Sequence, residues 1–178
     1  MSFNLFGKKK DSFDKNAENL VSIAKAAALS YYIPCANKFP LVFNIQPDHW
    51  DAVLTVANCS FAVIRLLYSR EVDAAIPHKR KIELHELILR NLDAKQPEFG
   101  AQAVDDCLKF LKKSCDDGRF DGAEYKQDPG LVRVDAFGIW SFLNLMGRVP
   151  GSAEEFGLAR VIGGLLQRYF YDYWEEKS

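Results

Sequence analysis

Histidine and cysteine are the residue types in this chain best suited to metal or nucleophilic chemistry. The chain has three histidines, His49, His78 and His85, and four cysteines, and none of them forms an HExxH, ExxH or CxxC pattern. His78 and His85 are two helical turns apart, about 10 Å, which is too far for this pair alone to hold one metal ion. The sequence therefore predicts neither a metal site nor a cofactor.

The cysteines and serines give no sign of a catalytic nucleophile. Apolar stretches surround all four thiols, namely Cys35, Cys59, Cys107 and Cys115. A free cysteine in such surroundings behaves as a small hydrophobic residue. No G-x-S-x-G pattern occurs, so a serine on a strained strand-to-helix turn is not indicated. We therefore expect no catalytic residue, although polar groups that meet only in three dimensions escape a search of this kind.

An acidic loop at residues 116–130 resembles part of a calcium-binding loop. Positions one, five, six and twelve of the pattern D-x-[DN]-x-[DN]-G-x5-E are matched by Asp117, Asp121, Gly122 and Asp128. Position three, however, is Arg119, which repels a cation, and position eight, normally apolar, is Glu124. We therefore expect a solvated surface turn here rather than a calcium site.

A basic segment follows Pro77, where a helix is predicted to begin. Its first turn would carry His78, Lys79, Arg80 and Lys81. Positive charge opposes the dipole at a helix N-terminus by about 0.3 kcal/mol or more for each group. A locally unfavourable choice of this kind predicts a binding surface for an acidic partner or a phosphate. The alternatives are a solvated face, or ion pairs with Glu71, Asp73 or Glu83.

The C-terminal segment is rich in aromatic residues. Tyr169, Tyr171, Tyr173 and Trp174 are spread around more than one face of the predicted last helix. Exposed tyrosine and tryptophan are enriched at the energetic centres of protein interfaces. The sequence leaves two alternatives open: these residues bind a partner, or they pack on the first helix and close the bundle.

The predicted second helix is apolar on nearly every side and carries one thin polar stripe. The stripe is either the exposed edge of the helix or one wall of a groove, where a buried charge must be paired. In the second case a small ligand would be bound by Asp48, His49, Asp51, Asn58, Arg65 and His85.

Composition limits the class of protein. The chain has 178 residues, of which 48% are apolar and 13% aromatic, and its formal net charge is −1. This content is too apolar for a disordered chain, and the balanced charge gives no reason to expect nucleic acid as a partner. No uncharged stretch reaches the ~18 residues of a membrane helix, and residues 1–10 place apolar residues before lysines, opposite to a secretory signal. We expect a cytoplasmic protein without stable membrane association.

Helical periodicity predicts six main helices. They cover residues 12–32, residues 48–70, a segment after Pro77, a segment from near Pro97, residues 136–146 and a segment from Ser152. Asp135 is predicted to cap the fifth of these helices, and Ser152 with Glu155 forms an S-x-x-E capping box at the start of the sixth. Gly163-Gly164 lies in the middle of the sixth helix, which indicates either close packing of another helix or a bend. A short strand at residues 41–45 and an extended segment at 131–134 are weaker possibilities. The sequence thus predicts an all-α protein: residues 1–11 form a flexible tail, and residues 12–178 form a single-domain irregular bundle of five to seven helices, with the second and the penultimate helix at its centre.

Two functions fit this sequence. The first is a non-enzymatic protein-protein interaction module, such as an adaptor, a chaperone or an inhibitor of the immunity type that sequesters a partner protein. The alternative is a helical enzyme or small-ligand-binding protein whose polar groups converge from several helices. A pocket that joins three or more of the six polar residues Asp48, His49, Asp51, Asn58, Arg65 and His85 would favour the alternative, and scattered polar groups beside an exposed aromatic patch would favour the first. The partner and the oligomeric state are not predicted.

Overall fold

The structure, a computed structural model, describes residues 11–95, 100–116, 120–128 and 130–175, with the side chains of Ala101 and Cys115 left aside. These residues form eight α-helices and no β-strand, which confirms the all-α prediction. The helices are α1 (Ser12–Lys38), α2 (Pro47–Tyr68), α3 (Arg70–Ala75), α4 (His78–Lys95), α5 (Gly100–Asp116), α6 (Ala123–Gln127), α7 (Gly130–Met146) and α8 (Ala153–Phe170).

The predicted number of five to seven helices is too low because two short helices show no period in the sequence. Helix α3 has six residues and α6 has five, which is little more than one turn each. Ser69 separates α3 from α2, since its hydroxyl accepts the backbone N–H of Val72 at 3.5 Å. The six longer helices correspond to the six predicted ones, although Pro97, where the fourth was predicted to begin, lies outside the described residues.

Three segments differ from the prediction. Helix α1 continues through Pro34 to Lys38, because Pro34 lies on the exposed side, where the carbonyl that loses its hydrogen bond can be hydrated. Residues 40–42 form a turn closed by the Val42 N–H and the Phe39 carbonyl, and residues 43–45 are not a strand. Residues 131–134 are the first turn of α7, where alternating apolar residues also fit a helix.

Helix α2 lies at the centre of the bundle, as predicted. It contacts α1, α3, α4, α5, α7 and α8, and nearly all of its side chains are buried. By length and composition alone α2 could cross a membrane, but most of it is enclosed by the other helices. A buried core helix is apolar all round for the same reason that a membrane helix is.

Helices α7 and α8 make the most extensive helix–helix contact among the described residues. They meet at Gly138 and Gly163, where the backbones approach closely. A methyl group on Gly163 would overlap the carbonyl of Val134, and one on Gly138 would overlap the carbonyl of Ala159. By contrast, a methyl group on Gly164 would meet nothing within 4 Å. Close packing, one of the two explanations for a Gly-Gly pair inside a helix, therefore applies to Gly163 alone.

This contact predicts opposite effects for two adjacent substitutions. Gly163→Ala should lower the free energy of unfolding by about 1–3 kcal/mol, because the two helices must separate to admit the methyl group. Gly164→Ala should raise it by about 0.4–1 kcal/mol, because alanine restricts the unfolded chain and favours the helix. Urea unfolding measures both. Equal effects of the two variants would contradict the close contact.

The N-terminus of α8 has the predicted capping residues. The Ser152 hydroxyl accepts the Glu155 backbone N–H at 3.2 Å, and the Glu155 carboxylate accepts the Gly151 backbone N–H at 2.7 Å. Arg148 forms a bidentate ion pair with the same carboxylate. These bonds, that of Arg148 first, lower the pKa of Glu155 to about 2.

The lowered pKa of Glu155 predicts a pH dependence of stability. The folded-state pKa of about 2 lies below the ordinary value of 4.5, so the contribution of Glu155 is complete above pH 4.5 and is lost as the pH falls towards 2. Urea unfolding between pH 2 and pH 7 should show that Glu155→Gln loses less stability over this interval than the wild type. The Glu154→Gln variant, altered on the same helical turn, is the control. A Glu155→Gln curve parallel to that of the wild type would contradict this role.

Candidate functional site

The buried polar residues of α2 are bonded to the protein itself. Asp51 pairs with Lys25 at 3.0 Å and accepts the Thr55 hydroxyl at 3.3 Å. The Asn58 side-chain amide donates to the Ala24 carbonyl on α1 at 2.9 Å. Each of these contacts joins α2 to α1 or to itself, so these side chains are engaged in holding the core together.

Arg65, near the end of α2, is held by the C-terminal turn that follows α8. Its Nε donates to the Tyr171 carbonyl at 3.0 Å, and its guanidinium lies 4.1 Å from the centre of the Tyr171 ring. A third contact reaches Glu71 at 3.6 Å. Arg65 is buried, and these contacts hold its Nε and Nη1 sides, whereas its Nη2 and the Asn58 Oδ1 are buried without a hydrogen-bond partner among the described residues.

The other three candidate ligand residues lie on the first turn of α2 and on α4. Asp48 and His49 are exposed at the opposite end of α2, and the His49 Nε2 lies 3.0 Å from the Asn144 carbonyl. His85 lies half-buried on α4, where burial lowers its pKa and its Nε2 has no hydrogen-bond partner in the structure. The six residues therefore do not meet in one pocket.

The basic segment at the start of α4 is partly enclosed. Lys81 is 1% exposed and forms an ion pair with Asp73. Arg80 pairs with Asp14 at 2.6 Å, with Glu83 and with the capping residue Asp11. Only His78 and Lys79 are left exposed, so half of the predicted basic surface is used in internal ion pairs.

The C-terminal aromatic residues divide between core and surface. Trp174 is 1% exposed, and its Nε1 donates to the Ala62 carbonyl of α2 at 2.7 Å. Tyr173 is half-buried, and its hydroxyl donates to the Asn16 carbonyl of α1 at 2.5 Å. Tyr169 and Tyr171 are exposed, and the Tyr169 ring lies 5.1 Å from that of Tyr31.

This division predicts different stabilities for two aromatic variants. Trp174→Ala should lower the free energy of unfolding by about 3–5 kcal/mol, because it opens a cavity against α2 and removes a buried hydrogen bond. Tyr169→Ala removes only the contact with Tyr31 and should cost less than about 1.5 kcal/mol. Chemical denaturation measures both, and similar losses would show that the C-terminal turn does not close the bundle.

An exposed apolar face runs along the second half of α1. Ile23, Leu29 and Ile33 are 45%, 50% and 61% exposed, and the small residues Ala26 and Ser30 are exposed between them. Their spacing of three and four residues places them on one side of the helix, away from the side that packs on α2. These five residues are called the α1 face.

A cavity of about 430 Å³ opens between α6, α7 and α8. The residues that line it are Glu124, Tyr125, Asp135, Ile139, Ala153, Phe156, Gly157, Ala159 and Arg160. Asp135 is buried, and it accepts hydrogen bonds from Arg160 Nε at 2.8 Å, Arg160 Nη2 at 2.6 Å and the Tyr125 hydroxyl at 2.7 Å. Burial, and next the hydrogen bond to Asp135, raise the pKa of Tyr125 to about 12, so this hydroxyl stays a donor at neutral pH.

Sequence reasoning missed this cavity. Asp135 stood out only as a predicted helix cap, and Glu124 only as an obstacle to calcium binding. Tyr125 and Arg160 gave no local signal at all, because they approach Asp135 only when three helices pack together. The one available signal was the pair of helix-interior glycines, which indicated that α8 approaches another helix closely.

The remaining residues with potential for chemistry are the metal-ligating side chains, the acidic loop and the cysteines. No group of three metal-ligating side chains occurs in the described part of the chain. Residues Ala123–Gln127 of the acidic loop are helical, while Asp117 and Arg119 lie outside the described residues. Cys35, Cys59 and Cys107 are free and buried, and burial raises the pKa of each thiol.

Comparison of the chain with protein-family models, with curated proteins and with solved structures finds no match. Two features of the described residues are not accounted for by the fold. The first is the α1 face, and the second is the cavity beside Asp135.

Proposed function

We propose that this protein is a non-enzymatic protein-binding module whose partner docks on the α1 face. The observation that carries the proposal is the exposure of three large aliphatic side chains on one side of one helix. Contiguous exposed apolar surface of this kind is typical of interaction sites.

The shape of the α1 face favours a helix as the bound segment. Ala26 and Ser30 are short, and they lie between the longer side chains of Ile23, Leu29 and Ile33. Alternating long and short side chains give ridges and grooves, into which the side chains of a second helix pack. The partner segment is therefore an amphipathic helix with apolar residues at spacings of three and four.

The charges beside the α1 face favour an acidic partner. No Asp or Glu occurs from Asn19 to Pro47, and the same interval contains two lysines, Lys25 and Lys38. Lys25 is half-exposed and pairs with Asp51, and Lys38 is exposed. A partner helix whose apolar residues are flanked by glutamate or aspartate would complement these lysines.

The size of the α1 face indicates a transient complex. The face is about 15 Å long, at 1.5 Å per residue, and one helix wide. Such a surface buries far less than the ~800 Å² per partner of a standard stable interface, so it does not suffice for a permanent dimer of this chain. An apolar helix face beside lysines also suits an anionic membrane, but three aliphatic side chains on a rigid core helix offer little to insert.

A peptide titration tests this proposal. The probe is a fluorescent helical peptide with leucines at spacings of three and four, flanked by glutamates, and its twin carries lysines instead. We expect micromolar binding of the acidic peptide by fluorescence anisotropy. Leu29→Glu should weaken this binding at least tenfold, because a carboxylate would enter the apolar contact and face the glutamates, which costs about 1.4 kcal/mol or more.

Val149→Glu is the matched control, since Val149 is 50% exposed like Leu29 but lies in the loop after α7. Its binding should equal that of the wild type. Equal binding of both peptides, or equal binding by Leu29→Glu, would refute docking on the α1 face. Binding to anionic vesicles that Leu29→Glu abolishes, without peptide binding, would replace the protein partner by a membrane.

Several expectations from the sequence stay predictions. They are the cytoplasmic location, the absence of a cofactor, and the absence of nucleic-acid and stable membrane binding. His78 and Lys79 remain exposed and available to an acidic partner, but they are two residues of the four that the sequence indicated.

A further inference from the structure

We propose that the cavity between α6, α7 and α8 binds a small organic cation, namely an amine with an apolar body. This function is separate from docking on the α1 face and does not depend on it. The volume of about 430 Å³ lies within the ~300–1,000 Å³ range of small-molecule sites. The lining residues come from three helices, so the packing of the bundle holds the cavity open.

The hydrogen bonds to Asp135 determine the charge inside the cavity. Arg160 donates to both carboxylate oxygens, and the Tyr125 hydroxyl donates to one of them as well. The buried negative charge is thus neutralised by Arg160, whose Nε and Nη2 are both used in doing so. Neither Asp135 nor Arg160 therefore presents a full charge to a ligand.

Glu124 is the charge that remains at the mouth of the cavity. Its carboxylate forms an ion pair with Arg160 Nη2 at 3.7 Å, longer than a hydrogen bond, so that two carboxylates share one guanidinium; the Glu124 side chain is about half exposed. Glu124 and Asp135 against Arg160 leave a net charge of −1 among the ionisable lining residues with Tyr125 neutral. This balance favours a cationic ligand over an anionic one.

The remaining walls are apolar and suit the body of such a ligand. Ile139 and Phe156 supply aliphatic and aromatic surface, and Phe156 is half-exposed in the absence of a ligand. Covering this ring would remove apolar surface from water. The rings of Phe156 and Tyr125 also attract a cation near their faces, which supports an ammonium group placed beside Glu124.

An anion on Arg160 is the competing possibility. The guanidinium has one nitrogen, Nη1, with no described bond, and a carboxylate ligand could accept from it. That ligand would, however, lie beside the carboxylates of Glu124 and Asp135, which repel it. The observations therefore favour the amine, and the competing ligand becomes one arm of the test.

Isothermal titration with three probes of similar shape tests the proposal. The probes are 2-phenylethylamine, 2-phenylethanol and 3-phenylpropionate, and hexylamine and cyclohexylmethylamine extend the amine set. We expect at least one amine to bind with a Kd on the order of 1 mM or tighter, as suits so few atoms. The aromatic amine should bind about tenfold more tightly than the alcohol, because only the ammonium pairs with Glu124.

Two variants separate charge recognition from shape. Glu124→Gln should weaken amine binding about tenfold and leave alcohol binding unchanged, because only the charge is removed. Glu86→Gln, which removes an exposed carboxylate on α4, should change neither. Phe156→Ala should weaken the aromatic amine and the alcohol alike, because both lose the same apolar contact.

Four results would each refute the proposal. They are no binding of any amine; equal affinity for amine, alcohol and acid; tighter binding of the acid; and full amine affinity in Glu124→Gln. Circular dichroism of the variants confirms that they fold. Because Leu29→Glu leaves the cavity intact, its amine binding should be normal, so failure here is distinguishable from failure of the α1 face.

Discussion

The burial of α2 on all sides is the constraint on which the rest of the structure depends. A helix so enclosed must find partners inside the protein for each of its polar side chains, because an unpaired polar group costs free energy away from water. Asn58 finds the Ala24 carbonyl on α1, and Arg65 finds the Tyr171 carbonyl after α8. In the reverse direction, the Trp174 indole N–H donates a hydrogen bond to the Ala62 carbonyl of α2. These contacts link both ends of the described chain to its centre.

The same packing creates the two features to which we assign function. Helix α1 turns one side towards α2, so Leu29 and the neighbouring aliphatic residues on the other side serve no contact in the core. The close contact of α7 and α8 at Gly138 and Gly163 has a second consequence one turn away. There, the small separation of the helices brings Asp135 within hydrogen-bond distance of Arg160 and so forms the polar wall of the cavity.

The sequence predicted the features that depend on local pattern. Helical periodicity located the six longer helices, and the Ser152 cap was identified from its spacing to Glu155. Local rules failed where tertiary contacts outweighed them, as at Pro34 within α1. At Lys81 the alternative of an ion pair with Asp73 applies, and not the basic surface. The cavity was beyond prediction, because its residues come from three helices whose packing no short segment determines.

The central claim is that the polar residues of α2 serve the fold and that a partner binds the outer side of α1. Amide chemical-shift changes in the ¹⁵N-labelled protein, titrated with the glutamate-flanked helical peptide, test it most directly. The changes should be confined to residues 23–33 and their neighbours on α1. Changes centred on Asp51, Asn58 and Arg65, or on His78 and Lys79, would contradict it.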